Sequence, residues 1–266
     1  MRKLIHVLGR ILRHESNEGR RFRRLVASAV WQIWKHSIGR PMGITLFNGY
    51  RFLAYPDCDS SLNAIYFHVP DYREVSFLRK RIRKGVLFDV GANVGLFTLS
   101  MADKIDRAFL FEPNSMAAKR AESNMVQNHL NCEVHAVALS DEVGEILLED
   151  RGGVDSTNRT LTDPQTTSFP TRKVRRTTLD SFLEGHVYSI KNVALVKIDV
   201  EGHENAVLRG MQRTLAALRP QIVMFEYLQR TDFSETEELL NTAGYTIYSL
   251  NGEGNLLPVV GQPETL

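Results

Sequence analysis

Three places in the chain carry residue types suited to chemistry. The first is VLFDVGANVGLFTLS, residues 86–100, where a strand-like run ending near Asp89 meets Gly91, Ala92, Asn93, Val94 and Gly95 and then an apolar helix-like run. Gly91 permits a tight turn and close approach of the main chain to a ligand, Gly95 permits close packing at the helix start, and amides exposed in such a turn attract negative charge. The second is Glu112, 21 positions after Gly91 at the end of the next strand-like run. A carboxylate there accepts hydrogen bonds from both hydroxyls of a ribose. Turn and acid together, with Asp89 beside them, predict a cofactor built on adenosine. The third is KIDVEGHE, residues 197–204, in which Asp199 and Glu201 stand two apart at a strand end and would face one way into a cleft.

The spacing narrows the cofactor. A dinucleotide fingerprint reads G-x-G-x-x-G, and this turn has no glycine at the third or sixth place; a phosphate loop ends in Gly-Lys-Ser or Gly-Lys-Thr, and Leu96-Phe97 stand there. S-adenosylmethionine has no pyrophosphate to cradle, so one turn near its carboxylate and one acid at its ribose suffice. Methyl transfer is an in-line attack, so catalysis is mostly positioning, with a base needed when the nucleophile is a hydroxyl. Of Asp199 and Glu201, one would take that proton while the other orients the hydroxyl or Lys197. An unperturbed histidine titrates near neutrality, which makes His203 a candidate base, but at the start of a helix it reads as structural. Glu226, at a later strand end, would pair with Asp199 as in Mg²⁺-dependent O-methyltransferases. Two carboxylates do not make a metal site, and none is assigned.

These groups need a frame. From residue 85 strand-like and helix-like runs alternate: GVLFDV, GLFTLSMADKI, RAFLFEP, then SMAAKRAESNMVQNH with Ser115 as N-cap, CEVHAVAL as a third strand, and GEILLED. Residues 151–170 have no periodicity and read as a lid or a disordered loop. VRRTTL and DSFLEG lead to the buried strand VALVKIDV and to one helix, ENAVLRGMQRTLAAL, with Val207, Leu208, Met211, Leu215 and Leu218 on one face. QIVMFEY is the next strand; Ser234 and Glu237 form a capping box for SETEELLNTA, which Gly244 closes. YTIYSL and NLLPVV, joined by NGEG, read as a hairpin. Strands joined by helices predict a doubly wound α/β layer with a parallel sheet, to which the terminal hairpin adds one antiparallel strand.

The 266 residues suffice for one large domain with an extension. Charge divides the chain there. Residues 1–40 hold ten Lys or Arg against two Glu, a net +8, which leaves 23 basic against 29 acidic residues, −6, for the rest. Residues 1–80 are read as a basic N-terminal extension and 81–266 as the main domain. Within the extension, residues 20–38 predict an amphipathic helix that packs on the body, or touches anionic lipid weakly as a surface helix. Residues 43–55 predict a hairpin turning at Asn48-Gly49, preceding the main domain. Cys58 and Cys132 make no disulfide framework, and the apolar runs near the N-terminus are too short or too charged to span a membrane. The reading is a soluble, cytoplasmic protein. RKRIRKG (79–85) and RKVRR (172–176) lack interleaved aromatics and read as solvated faces rather than a nucleic-acid surface.

DVGANVGLFT, FEPN, VALSD and above all KIDVEGHE followed by VLRG resemble the FkbM-type methyltransferases. The resemblance covers residues 85 to about 230. It implies a Rossmann-like class I methyltransferase fold and S-adenosylmethionine-dependent O-methylation of a sugar, polyketide or other natural-product hydroxyl. It would place Asp89, Gly91, Ala92, Asn93 and Gly95 around the methionine end of the cofactor, Glu112 on its ribose and Asp141 near its adenine, with Asp199, Glu201 and Lys197 at the reacting centre. The acceptor is then a small molecule or glycan. RNA methylation and a nicotinamide-dependent oxidoreductase are the competing readings, and the missing glycines count against the second.

Overall fold

The computed structural model describes residues 2–152, 160–161, 167–184, 190–227, 232–251 and 253–259. The chain opens with α1 (Arg2–Arg13), α2 (Arg21–Ser37), the strands β1 (Met42–Thr45) and β2 (Arg51–Ala54), α3 (Asp59–Tyr66) and α4 (Tyr72–Arg81). β1 and β2 pair antiparallel across the Asn48-Gly49 turn, where Gly49 takes φ 90°. The hairpin packs directly on the layer that follows: Asn48 Nδ2 donates to the Leu99 carbonyl at 2.8 Å, and Leu53 N donates to Asn124 Oδ1 at 2.9 Å. One buried cluster runs from Ile11, Trp31 and Phe52 to Leu87, Leu110 and Leu195.

The alternation continues through β3 (Val86–Val90), α5 (Leu96–Met101), β4 (Arg107–Phe111), α6 (Ser115–Val126) and β5 (Cys132–His135). Next come β6 (Ala138–Leu139), β7 (Gly144–Glu149), β8 (Thr160–Leu161), β9 (Thr171–Thr177), α7 (Leu179–Glu184) and β10 (Val193–Ile198). The C-terminal part holds α8 (Glu204–Arg209), α9 (Gln212–Leu218), β11 (Ile222–Phe225), α10 (Phe233–Thr242), β12 (Tyr248–Leu250) and β13 (Leu256–Pro258). Five strands form the central sheet in the order β11-β10-β3-β4-β5, all parallel. β3 and β10 are buried along their whole length, as strands covered on both faces must be. Alternate residues serve opposite faces: Leu87, Ala108 and Leu110 join the cluster that includes the N-terminal elements, while Val86, Phe88, Phe109 and Phe111 join Leu179, Val207, Leu208, Met211 and Leu215 on the other side. The chain begins at the central β3, winds outward through β4 and β5, and returns to the far side through β10, so the sheet switches direction between β3 and β10.

Several expectations change. CEVHAVAL serves two sheets: Cys132–His135 ends the central sheet, whereas β6 pairs parallel with β9 in a four-stranded sheet of order β6-β9-β7-β8. The terminal hairpin forms, but β12 and β13 pair with each other as a two-stranded sheet rather than extending the five, and the ladder ends at Pro258, which has no amide to donate. The N-caps are Asn114 and Asp232 rather than Ser115 and Ser234: each accepts from two amides of the following turn, which places the serines inside their helices. Most of the expected lid at 151–170 falls on 153–159 and 162–166, outside the described residues; Thr160–Leu161 pairs with β7. Among the described residues no helix is long and apolar enough to cross a membrane.

The expected helix 204–218 is two helices, broken at Gly210, and its five apolar positions still face the core. A Cβ on Gly210 would lie 1.9 Å from the Ser140 carbonyl oxygen, although its φ of −75° suits any residue. Space alone therefore excludes a side chain. Gly210→Ala should lower stability by about 1–3 kcal/mol, the usual cost of overpacking, read as a lower urea midpoint at unchanged m. Gly9→Ala in α1, with nothing within 4 Å of the new methyl, should be neutral or mildly stabilising in the same assay.

Candidate active site

At the C-terminal ends of β3, β4 and β10 lies a cleft of about 230 Å³, where the sheet changes direction. Gly91, Ala92 and Asn93 of the turn 91–95 line it. Gly91 adopts φ 77°, and a Cβ there would lie 1.8 Å from the carbonyl oxygen of Asp199. The close approach demanding glycine is thus to the end of β10 and not to a ligand. Gly95, at φ 78°, would put a Cβ 2.8 Å from Met125 Cε, so it lets α5 pack on α6 as expected.

The amides of this turn are spent inside the protein, against the expectation that they face an anion. Gly91 N and Ala92 N both donate to the Phe111 carbonyl, at 3.0 and 3.2 Å, and Gly95 N donates to the Ala92 carbonyl at 2.8 Å. Asn93 N donates to Glu112 Oε2 at 2.9 Å and Val94 N to Asn93 Oδ1 at 2.8 Å. Asn93 itself sits at φ 49°, a conformation Asn tolerates better than most residues.

Glu112 lies where β4 ends, in the cleft wall. Its second oxygen accepts from Asn114 N at 2.8 Å, so both oxygens are fixed by main-chain amides and each keeps a further lone pair. Burial pushes its pKa up to about 7, and the two amides pull the other way. Asp89 does not line the cleft: it is wholly buried beneath the turn, accepts from Thr98 Oγ1 at 2.6 Å and faces Lys197 Nζ at 3.7 Å. Lys197 lies opposite Asp89 in register, donates to the Gly91 carbonyl at 3.3 Å and pairs with Asp199 Oδ2 at 2.9 Å. Burial would lower its pKa, but Asp199 and Asp89 outweigh that and hold it above the ordinary lysine value.

Asp199 and Glu201 both line the cleft, and Glu226 joins them: an oxygen of each lies within 4.8 Å of the others. Strand alternation does not produce this, because β10 ends at Ile198 and Glu201 turns back at φ 57°. The loop is held by Glu204, fully buried, whose Oε1 accepts from Val200 N at 3.3 Å and Gly202 N at 3.0 Å. Burial, with Asp199, Glu201 and Glu204 nearby, pushes Glu226 up to about 7. His203 is structural: it lies outside the cleft, its Nε2 is 2.9 Å from Ser140 Oγ, and burial lowers its pKa to about 4.

Asp141 is not brought to the cleft. Its carboxylate pairs with Arg209 at 3.0 Å and Arg176 at 3.9 Å on a neighbouring surface, and those guanidinium partners turn it outward; Ala138 and Leu139 line the cleft in its place. The basic runs are likewise engaged by acids, Arg79 with Asp103, Lys84 with Asp106 and Arg176 with Glu142. Three cleft residues that the sequence did not single out come from the N-terminal elements: Ser60, Asn63 and Asp71. Ser60 Oγ donates to Asn93 Oδ1 at 3.3 Å. Asp71 opens to the cleft from a left-handed conformation, φ 46°, at the start of α4, and packing around its carboxyl pushes it up to about 6. The one local signal was Pro70-Asp71 ahead of a helix-like run.

The family model described as "Methyltransferase FkbM domain" matches residues 89–247. Methyltransferase 1 of Beauveria bassiana is 28% identical over 182 residues, covering 60% of this chain and 72% of that protein. Hexuronic acid methyltransferase AglP of Haloferax volcanii is 29% identical over 159 residues, covering 59% of this chain and 62% of that one. The crystal structure of Methyltransferase FkbM from Methylobacillus flagellatus KT superposes with a TM-score of 0.45 at 16% identity, covering 64% of this chain and 41% of the other. The family match takes in the glycine turn, Glu112, KIDVEGHE and the strands that bring them together, and the chain belongs to the FkbM methyltransferase family.

Proposed function

We propose that the cleft binds S-adenosylmethionine and that the protein methylates a hydroxyl of a sugar or other small molecule. The observation that carries this reading is a glycine turn with no free amide from 91 to 95, set beside a buried Glu112 whose oxygens keep acceptor capacity. Such a site offers no cradle for a phosphate, which disfavours a nicotinamide dinucleotide, and it offers two acceptors to a ribose diol. Glu112 would hold the ribose, and Gly91, Ala92 and Asn93 would flank the methionine end. Asp89, from beneath, positions Lys197 and Thr98 rather than touching the cofactor. When bound, S-adenosylmethionine supplies an electrophilic methyl group. Asp199 and Glu201 would receive the acceptor hydroxyl and its proton, and Lys197 would fix Asp199 in place. The relative named for hexuronic acid favours a sugar acceptor.

Titration calorimetry with S-adenosylhomocysteine tests the cofactor. Glu112→Ala should weaken binding by about 1.5–3 kcal/mol, the value of hydrogen bonds to a charged group; equal affinity in both proteins would sink the assignment. Ribose hydroxyls donate, so they favour ionised Glu112. Since its pKa in the folded protein is raised to about 7, affinity should be greatest above that pH and fall up to about tenfold per unit below it. Glu112→Gln should lack the slope.

With an accepted sugar in hand, Asp199→Asn and Glu201→Gln test the base by transfer of a labelled methyl group. At least one should lower kcat by about 10²–10⁴ while S-adenosylhomocysteine still binds. Full turnover in both would remove these carboxylates from the chemistry.

A further inference from the structure

α2 uses only one of its faces for packing. Ser28 and Trp31 are buried, Arg24 Nη1 reaches the Ala64 and Ile65 carbonyls of α3, and Gln32 Nε2 donates to the Tyr66 hydroxyl at 2.6 Å. On the opposite face Phe22, Val26, Val30 and Ile33 follow one another at i, i+4, i+8 and i+11 and are 78%, 47%, 50% and 67% exposed. Such spacing makes one continuous apolar stripe, and nothing among the described residues covers it.

Around the stripe basic side chains outnumber acidic ones, with Glu18, exposed just before α2, the exception. Arg13, Arg20, Arg21, Arg23 and Arg40 are exposed and form no ion pair with an acidic side chain among the described residues. Glu15, one of the two acids in the first forty residues, is tied to Arg73 at 3.0 Å. An apolar stripe on a helix with exposed arginines at its start and beyond its end fits a bilayer, where hydrocarbon receives the side chains and anionic headgroups receive the charge. A second copy of the same face would bring two segments of net +8 together. Nucleic acid would satisfy the arginines but leave the aliphatic side chains against phosphate. We propose that α2 docks this protein on a bilayer surface rich in anionic lipid, lying in the interface rather than crossing it.

Vesicle flotation with the full chain tests this. The protein should partition onto phosphatidylcholine vesicles containing phosphatidylglycerol and not onto phosphatidylcholine alone, and about 0.5 M salt should release it. Phe22→Ser/Ile33→Ser should lower the partition coefficient about tenfold or more at an unchanged Tm. Should that variant unfold, Arg21→Glu/Arg23→Glu, which changes only exposed charges, should give a similar loss. Failure of the wild type to float with anionic vesicles, equal flotation with neutral ones, or undiminished binding in a folded variant would each overturn the proposal. So would a dimer, or RNA capture, that the serine variant abolishes without any vesicle binding by the wild type.

Discussion

A buried ammonium organises the centre of this molecule. Lys197 is 7% exposed, in the middle of a parallel sheet, and it is compensated from three directions: Asp89 on the neighbouring strand, Asp199 at its own strand end, and the carbonyl of Gly91. An ion group of this kind contributes little net stability against an apolar replacement, but loss of the lysine would leave Asp89 buried without its counter-charge at a cost of about 3–5 kcal/mol. Its value lies in geometry. It pins the end of β10 to the end of β3 so closely that the carbonyl of Asp199 occupies the space where residue 91 would carry a Cβ. The turn 91–95, the position of Asp199 and the mouth of the cleft all follow from that approach.

The cleft is finished by elements outside the matched family region. α3 and the start of α4 supply Ser60, Asn63 and Asp71, and α3 is itself held by α2 through Arg24 and Gln32. The parallel sheet and its glycine turn belong to the region shared with relatives, whereas the wall facing them is built from residues 60–71. Because that wall comes from outside the shared region, it can change without disturbing the Lys197 cluster.

What the sequence disclosed, and what it hid, divides by range. Period and turn chemistry located β3, β4, β10 and β11, the Asn48-Gly49 hairpin and the glycine closing α10, since each depends on neighbours a few residues away. Caps were misplaced by one or two positions because Asn114 and Ser115, or Asp232 and Ser234, are all competent acceptors, and only the chain path chooses among them. Gly91 and Gly210 were visible as glycines, but their causes, the carbonyls of Asp199 and Ser140, are 108 and 70 residues distant. The pairing of Asp141 was hidden for the same reason: its two guanidinium partners are remote in sequence. Asp71 left almost no local trace, being an ordinary acid before an ordinary helix.

Electrostatics ties the proposed chemistry to the site. Five carboxyl groups, Asp71, Glu112, Asp199, Glu201 and Glu226, line the cleft around one ammonium. Loss of hydration first, and neighbouring carboxylates second, raise Asp71 to about 6 and Glu112 and Glu226 to about 7, so their charged forms are disfavoured. A cationic ligand relieves that penalty and an anionic one deepens it. A sulfonium donor meets the first condition and a phosphate-bearing cofactor violates it, in agreement with a glycine turn that has no amide to spare. The same field bears on the acceptor: a neutral hydroxyl approaches these carboxyls easily, while a sugar carrying its own carboxylate must present that group away from them.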